Sequence, residues 1–170
     1  MTMENTARSL YYAGVGSRET PQNILVLMAD LAEQLGALGH TLRSGGAIGA
    51  DRAFEKGADR GNYPKEIFYA KDCTTECMGI SKLYHPAWSR LSEYAKQLHG
   101  RNVLQILGED LQTPVEFVVC WTPDGCIDHT TRTIKTGGTG TAISVASERN
   151  IPVFNLQIHG QAEKVLEHAK

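Results

Sequence analysis

Short apolar runs alternate along this chain with longer segments in which apolar residues recur at helical spacing. Strands in the middle of a sheet that is covered on both faces are short, apolar throughout and rich in β-branched and aromatic residues. Four runs are close to this description, at residues 10–15, 66–70, 115–121 and 151–156, and a fifth segment at residues 40–44 is too short for any other element. We therefore predict a strand at each of them.

The segment after the first strand has the clearest helical pattern. Its apolar residues recur at Ile24, Leu27, Met28, Leu31, Leu35 and Leu38. Thr20 is a candidate N-cap with Pro21 at the first helical position, and Gly39 ends the pattern. Weaker patterns predict further helices at residues 50–60, 86–98 and 101–108 and after the glycines of residues 136–141.

Two segments lack a clear period. Residues 71–84 are predicted to form a loop of the kind that often surrounds a ligand. Residues 122–136 contain a Pro-Asp-Gly turn signal, which favours a hairpin of short strands.

The alternation of strands and helices predicts an α/β fold, a Rossmann-like three-layer sandwich around a mainly parallel sheet. A chain of 170 residues suits one domain. We expect a single domain at residues 10–170, preceded by a flexible tail at residues 1–9.

Charge and hydrophobicity argue against two classes of partner, nucleic acid bound by bulk charge and membranes. The formal net charge of −2 argues against binding nucleic acid by bulk electrostatics, although a local basic patch remains compatible with it. No apolar run approaches the roughly 20 residues of a membrane span, and the first residues lack a signal-peptide pattern. We therefore expect a cytoplasmic protein without a membrane partner, whose four cysteines are reduced.

Three glycine-containing loops are predicted to meet at one edge of the sheet. They lie at residues 14–18, 44–51 and 136–141, and each leads toward a helix. In an open parallel sheet, ligands bind outside the carboxyl ends of the strands. Glycines let backbone N–H groups approach a ligand closely, and helix N-termini favour anions. The set of loops therefore predicts a phosphate-bearing ligand, although each loop taken alone fits a tight turn equally well.

Four sequence blocks resemble a known family. GVGSRETP, SGGAIGADRAFEKGA, RNVLQILG and TGGTGTAISVASERNIPVF are similar, in this order, to the Rossmann-like domain of DNA-processing protein A and to the wider SLOG superfamily. The resemblance implies a nucleotide or nucleic-acid phosphate site in the three loops. Its residues here are Gly16, Ser17, Arg18, Ser44, Gly45, Gly46, Asp51, Gly137, Gly138, Thr139, Gly140 and Thr141.

The resemblance leaves two alternative activities open. In the phosphoribohydrolase branch, Arg101 matches a catalytic arginine, but Ile143 and Ser144 stand where that branch has its glutamate. Glu148, one turn further along, is the remaining carboxylate candidate on that helix, and Asp51 is another. The second alternative is a minimal single-stranded DNA-binding protein, in which Tyr84, Trp88 and Tyr94 stack on bases or, as is more common, pack in a core.

Other residues have two readings each. Asp51 contacts a ribose or caps the helix that it opens. Trp121 stacks on a ligand or belongs to the core. Asp124, Asp128 and His129 act as acid or base at the mouth of the site or are ordinary turn residues.

The cysteines predict no metal site. Cys73 and Cys77, with His85 and His99 downstream, form a weak metal pattern because no second spaced pair follows. Cys120 lies in an apolar run and is expected in the core. We predict neither a metal nor a cofactor.

These observations predict a protein that holds a phosphorylated ribose ligand. The ligand classes are a nucleotide, an ADP-ribose derivative or a cyclic nucleotide signal. The missing carboxylate at Ile143 and Ser144 favours binding without turnover. We also expect a homo-oligomer, a dimer or higher, and by analogy with the superfamily a phage-encoded role in sequestering a defence signal.

Overall fold

The computed structural model describes residues 10–170, and the predicted tail at residues 1–9 lies outside them. The strands are Tyr11–Gly14 (β1), Thr41–Ser44 (β2), Lys65–Ile67 (β3), Phe117–Cys120 (β4) and Val153–Asn155 (β5). The α-helices are Gln22–Ala37 (α1), Ala50–Arg60 (α2), Thr75–Lys82 (α3), Glu93–Leu107 (α4), Thr139–Glu148 (α5) and Gln161–Ala169 (α6). Within the described residues, no helix is both long enough and apolar enough to cross a bilayer.

The five strands form one parallel sheet in the order β3-β2-β1-β4-β5. The chain moves outward from β1 through β2 to β3, and then returns to the other side of β1 with β4. This reversal places a topological switch point between β1 and β4, where crevices form in open α/β sheets. The predicted Rossmann-like α/β fold is confirmed, with a sheet that is parallel throughout.

Helices cover the sheet on two faces with separate apolar cores. The first face packs α1, α2 and α6 against the sheet, and its largest buried side chains include Tyr12, Phe54 and Phe117. The rings of Tyr12 and Phe117 stack with centroids 5.6 Å apart. The second face packs α3, α4 and α5 around smaller aliphatic side chains such as Val103 and Ile143.

Helices α1 and α2 approach each other closely at a glycine. A Cβ at Gly57 would overlap the backbone carbonyl oxygen of Ala29 and crowd the side chain of Ala32. Interiors are packed at the density of organic crystals, so this contact leaves no space for a side chain. The glycine therefore fixes the spacing of two helices on the first face.

On the first face one helix prediction needs a small change, and one helix was not predicted. Thr20 is not the cap of α1, because the helix begins after Pro21 and has no side-chain cap. The Thr20 hydroxyl instead donates to the carbonyl oxygen of Ser17 and closes the loop after β1. Helix α6 was absent from the sequence prediction and covers the first face with Val165.

The larger errors fall on the second face. Residues 71–84, predicted as a loop, contain α3, which Thr74 caps by accepting a hydrogen bond from the N–H of Cys77 at 3.3 Å. The helices predicted at 86–98 and 101–108 are instead a short 3-10 helix at Trp88–Arg90 and the single helix α4. Ser92 caps α4 by accepting from the N–H of Ala95 at 3.1 Å.

The predicted hairpin at residues 122–136 is also wrong. The segment forms two 3-10 helices, His129–Thr131 and Ile134–Thr136. Asp124 organises it, because its carboxylate accepts hydrogen bonds from the hydroxyls of Thr122, Thr133 and Thr136. Side-chain hydrogen bonds here take the place of a strand ladder.

Candidate ligand-binding cavity

A cavity of about 800 Å³ lies at the carboxyl ends of the strands, beside the switch point between β1 and β4. The loop after β1 forms one wall, and the loops that lead into α2 and α5 form two more. Helix α4 forms the fourth wall. A volume of this size is typical of a site for a small organic ligand.

Seven of the twelve predicted ligand residues line this cavity. They are Gly16, Ser17, Arg18, Asp51, Gly137, Gly138 and Thr139. A Cβ at Gly16 would come within 2.6 Å of the Ala50 Cβ, so a glycine is needed for the first loop to reach the start of α2. Arg18 is exposed at the rim, with its side chain free to reach a bound anion.

The other five predicted residues lie behind the lining. The Ser44 hydroxyl donates to the carbonyl oxygen of Gly14 at 2.6 Å, which joins the ends of β1 and β2. Gly46 has a φ of 69°, a left-handed conformation that glycine adopts without strain. Gly45 and Gly140 pack directly against the guanidinium groups of Arg101 and Arg132. Thr141 is buried in α5, with its hydroxyl bonded to His99.

Helix α4 connects two of the loops. The Arg101 guanidinium donates to the carbonyl oxygen of Gly45 at 2.7 Å, in the loop before α2. Asn102 donates to the carbonyl oxygen of Gly138 at 3.1 Å, in the loop before α5. Two neighbouring residues of one helix therefore hold the two glycine loops at a fixed separation.

The sequence prediction missed most of this wall. Leu98, His99, Asn102 and Gln105 line the cavity beside Arg101, and α4 positions them all. Residues spaced by three, four and seven positions share one face of a helix. That signal was present in the sequence, but it was lost when the segment was divided into two helices at its centre.

Asp51 is a buried carboxylate at the floor of the cavity. Its Oδ2 accepts a hydrogen bond from the N–H of Ala47 at 3.2 Å, so it closes the turn that starts α2. Burial raises the pKa of Asp51 to about 6, even though the positive charge of Arg101 and the Ala47 hydrogen bond oppose the shift. The carboxylate is thus ionised at neutral pH at a cost in stability.

His99 is a neutral polar group at neutral pH. Burial, followed by the charges of His85, Arg132 and Arg101, lowers its pKa to about 4. Its Nδ1 lies 3.3 Å from the Thr141 hydroxyl. Because this imidazole is uncharged, Arg101 carries the positive charge of the wall that α4 forms.

Gln105 brings a buried amide to the same wall. Its side chain is almost fully buried, and its Oε1 has no hydrogen-bond partner among the described residues. Buried polar atoms are almost always paired. The amide is therefore an acceptor that the protein itself does not satisfy.

The two catalytic candidates from the sequence are separated. Arg101 lines the cavity, whereas Glu148 is exposed in the last turn of α5 and does not line it. Ile143 is fully buried in the second core, and the buried Ser144 hydroxyl bonds to His129 Nδ1 at 3.0 Å and to Arg132 at 3.1 Å. The carboxylates that do line the cavity are Asp51 and Glu19.

The turn residues after β4 have structural partners. Burial alone would raise the pKa of Asp124, but hydrogen bonds from the hydroxyls of Thr136, Thr133 and Thr122 hold it at about 2. Asp128 caps the short helix at His129–Thr131. Both carboxylates therefore serve to shape the loop.

The aromatic candidates fall into two groups. Trp121 is buried in the first core, and its indole N–H donates to Gln157 Oε1 at 3.0 Å. Tyr94 is 64% exposed. Tyr84 and Trp88 are half-buried, and the ammonium of Lys96 lies 5.8 Å from the Trp88 ring centre. Only the second group remains available to stack on a ligand.

The cysteines and histidines do not gather into a metal centre. Residues 10–170 contain no group of three or more His, Cys, Asp or Glu side chains placed to hold a metal ion. Cys73 and Cys77 lie beside each other, while the His85 and His99 rings form a separate pair with centroids 4.5 Å apart.

Comparison with known proteins identifies the fold. No family model and no curated protein matches the sequence. DNA processing protein A from Helicobacter pylori, whose structure is described in terms of a unique single-stranded DNA binding mode, matches with a TM-score of 0.55 and 17% identity, over 95% of this chain and 73% of that one. DNA processing protein A from Streptococcus pneumoniae matches with a TM-score of 0.54 and 15% identity, over 93% of this chain and 56% of that one. The resemblance read from the sequence is confirmed at the level of the fold: the chain has the Rossmann-like fold of DNA processing protein A.

Proposed function

We propose that this protein binds a nucleotide-type ligand, through its phosphate and ribose, in the cavity at the switch point of the sheet. The observation that carries the proposal is the meeting of two helix N-termini and two arginines around one space. The first turns of α2 and α5 both open at the cavity, and Arg18 and Arg101 line it. Helix N-termini and guanidinium groups are the usual protein partners of phosphate.

The floor of the cavity supplies groups for the rest of the ligand. Asp51 and Gln105 line it with a carboxylate and an amide, which accept hydrogen bonds from hydroxyl or amino groups. A ribose carries such hydroxyls next to its phosphate. The ligand classes that fit are a nucleotide, an ADP-ribose derivative and a cyclic nucleotide.

We propose that the ligand is held without turnover. The superfamily position for a catalytic glutamate is occupied by Ile143 and Ser144, and both are buried in the core. Hydrolysis of an N-glycosidic bond needs a carboxylate beside the ribosyl carbon to stabilise positive charge or to activate water. Glu148 does not line the cavity. Of the two carboxylates that line it, Glu19 is exposed, and Asp51 is held by the Ala47 N–H in the turn that starts α2, where we assign it to binding the ligand's hydroxyl groups.

A ligand panel tests both parts of this proposal. The protein is incubated with nucleoside monophosphates, ADP-ribose and cyclic nucleotides, separated from free ligand and denatured, and the released compounds are identified by mass spectrometry. An intact nucleotide recovered from the wild-type protein, but not from Arg101→Met, is the expected result. A free base would overturn binding without turnover, and the absence of any retained compound would overturn the nucleotide site.

A second candidate function is binding of single-stranded DNA. The observation that favours it is the shared fold with the Helicobacter pylori protein, together with the exposed Tyr94 and the ammonium of Lys96 above the Trp88 ring. Stacking aromatics with nearby cations are typical of single-strand binding. Retention of a labelled oligonucleotide that falls steeply with salt, and that nucleotides do not displace, would support this function over the first.

The broader expectations stay predictions. These are a cytoplasmic location, a homo-oligomer and a phage-encoded role in sequestering a signal. Light scattering tests the oligomer directly, and recovery of an unchanged cyclic nucleotide from the panel would support sequestration.

A further inference from the structure

Two thiols meet where α3 packs against α4, outside the cavity. The Sγ atoms of Cys73 and Cys77 are 3.4 Å apart. Both cysteines are free, Cys73 is half-buried, and Cys77 is fully buried in the second core. A disulfide needs a separation of about 2.05 Å, so a small movement of one side chain joins them.

The turn at the start of α3 brings these cysteines together. Cys77 lies in the first turn of α3, and its Sγ accepts a hydrogen bond from the N–H of Thr74 at 2.8 Å. Cys73 precedes the Thr74 cap in an extended conformation, with a ψ of 129°. The chain therefore enters the helix with the Cys73 thiol already beside the Cys77 thiol.

Cys73 also touches the wall of the cavity from behind. Its Sγ packs against Gly100 of α4 so closely that a Cβ at Gly100 would overlap the sulfur. Gly100 stands between His99 and Arg101, which line the cavity. Any movement of the Cys73 sulfur therefore changes the contact that supports this turn of α4.

We propose that Cys73 and Cys77 form a reversible disulfide site, whose oxidation removes the sulfur contact with Gly100 and loosens α4 at His99 and Arg101. The inference does not rest on the proposed ligand, because it concerns the packing of α3 on α4 in the ligand-free chain.

The chemistry requires an external oxidant, and a small-molecule disulfide supplies it. The Cys73 thiolate attacks one sulfur of this disulfide, whose S–S bond breaks and releases one thiolate. The Cys77 thiol then loses its proton and attacks the Cys73 sulfur, which releases the second thiolate. Two protein thiols are oxidised to one disulfide, and the small disulfide is reduced to two thiols that take up the protons.

Exposure assigns the order of these steps. The partly exposed Cys73 meets the oxidant, and the buried Cys77 resolves the mixed disulfide. Burial, followed by the interaction with Cys77, raises the pKa of Cys73 to about 12. The thiolate is the reactive form, so the reaction is slow and the incubation must be long.

The first test asks whether the disulfide forms. The full chain is incubated with oxidised glutathione, alkylated and mapped by mass spectrometry. We expect a Cys73 to Cys77 disulfide that dithiothreitol reverses, with Cys120 and Cys126 still reduced. A stable glutathione adduct on Cys73, or Cys73 and Cys77 still free after the long incubation, would overturn the proposal.

The second test asks whether oxidation reaches α4. Hydrogen exchange is measured on the peptide that covers residues 93–107, in the reduced and the oxidised chain. We expect exchange in this peptide to increase about tenfold, which corresponds to about 1.4 kcal/mol of lost protection. Peptides from α1 and α2 serve as internal references and should not change.

Two variants make the result specific. Cys73→Ser and Cys73→Ala remove the thiol that meets the oxidant, and the serine keeps a side chain of similar size. Both should show the same α4 exchange with and without oxidised glutathione. If α4 exchange is unchanged when the wild-type disulfide is fully formed, the coupling to the cavity wall is wrong.

Discussion

The two faces of the sheet differ in what their helices contribute. The first face, with α1, α2 and α6, is built on large aromatic and aliphatic side chains such as Phe54 and Leu35. The second face, with α3, α4 and α5, is built on smaller side chains and also presents His99, Arg101 and Gln105 to the cavity. The first face reaches the cavity only where α2 begins, at Asp51, whereas the second face lines it along α4 from Leu98 to Gln105. The comparison shows that one helix can combine packing on the sheet with a wall of the cavity.

The difference between the faces has a physical basis. A helix that both packs on a sheet and lines a cavity must place polar groups where periodicity calls for apolar ones. Arg101 and Gln105 interrupt the apolar pattern of α4 in this way, while α1 keeps an unbroken apolar stripe. Substitutions on the two faces should therefore have different consequences, and the following predictions test this.

The largest effect is expected at the contact between α1 and α2. Gly57→Ala places a Cβ on the carbonyl oxygen of Ala29, and overpacking of this kind should cost about 3 kcal/mol of unfolding free energy. Gly79→Ala is the matched control, since Gly79 lies in α3 with open space around it and should gain about 0.5 to 1 kcal/mol from helix propensity. Urea titration measures both. Equal effects on the two faces would contradict the comparison.

The second largest effect is expected on ligand affinity, from a substitution on the second face. Arg101→Met removes the guanidinium from the cavity wall together with its bond to Gly45. We expect the affinity for the nucleotide retained in the panel to fall about 100-fold, or about 2.8 kcal/mol. Arg149→Met, an exposed arginine at the far end of α5, is the control for lost charge. Calorimetry that gives similar affinities for both variants would exclude Arg101 from the site.

Substitution of Asp51 should increase the free energy of unfolding, whereas Gly57→Ala should decrease it. Its folded-state pKa is raised from 3.8 to about 6, so its ionised form is disfavoured in the folded chain and lowers stability as pH rises through this range. Asp51→Asn should therefore stabilise the protein by about 2 kcal/mol at pH 7.5 and by almost nothing near pH 4. Thermal melting at both pH values measures this difference. Glu148→Gln, at an exposed carboxylate, should be neutral at both.

The smallest effect is expected at the rim. Arg18 is exposed, and solvent screens its attraction for a phosphate. Arg18→Ala should weaken nucleotide binding about fivefold, or about 1 kcal/mol, without changing the melting temperature. The loss should shrink when the salt concentration is raised. A salt-independent loss would mean that Arg18 contacts the ligand inside the cavity.

The sequence predicted the parts of the fold in which local pattern and tertiary packing agree. Helix α2 was predicted with the bounds that it has, because its capping turn, its apolar face and its final glycine all indicate the same element. The failures lie where side-chain hydrogen bonds decide the backbone. Asp124 bends residues 122–136 away from a hairpin, and Thr74 starts α3 in a segment without a clear period.

The candidate site was predictable from its backbone loops and much less from its side chains. The glycine loops were recognised because glycine marks a close approach of the backbone. The wall formed by α4 was not, since the segment was divided into helices at 86–98 and 101–108, with Gly100 in the gap between them. The structure shows that this glycine instead makes room for the Cys73 sulfur, a contact between residues 27 positions apart that no local pattern contains.

The hydrogen bonds from Arg101 and Asn102 to the two glycine loops have a consequence for the thermodynamics of binding. Both bonds exist in the ligand-free chain, so the loops lose their conformational freedom during folding and not when a ligand arrives. A ligand that enters the cavity then has to give up mainly its own freedom. For the proposed nucleotide we therefore expect association that is limited by diffusion into the crevice and not by loop closure.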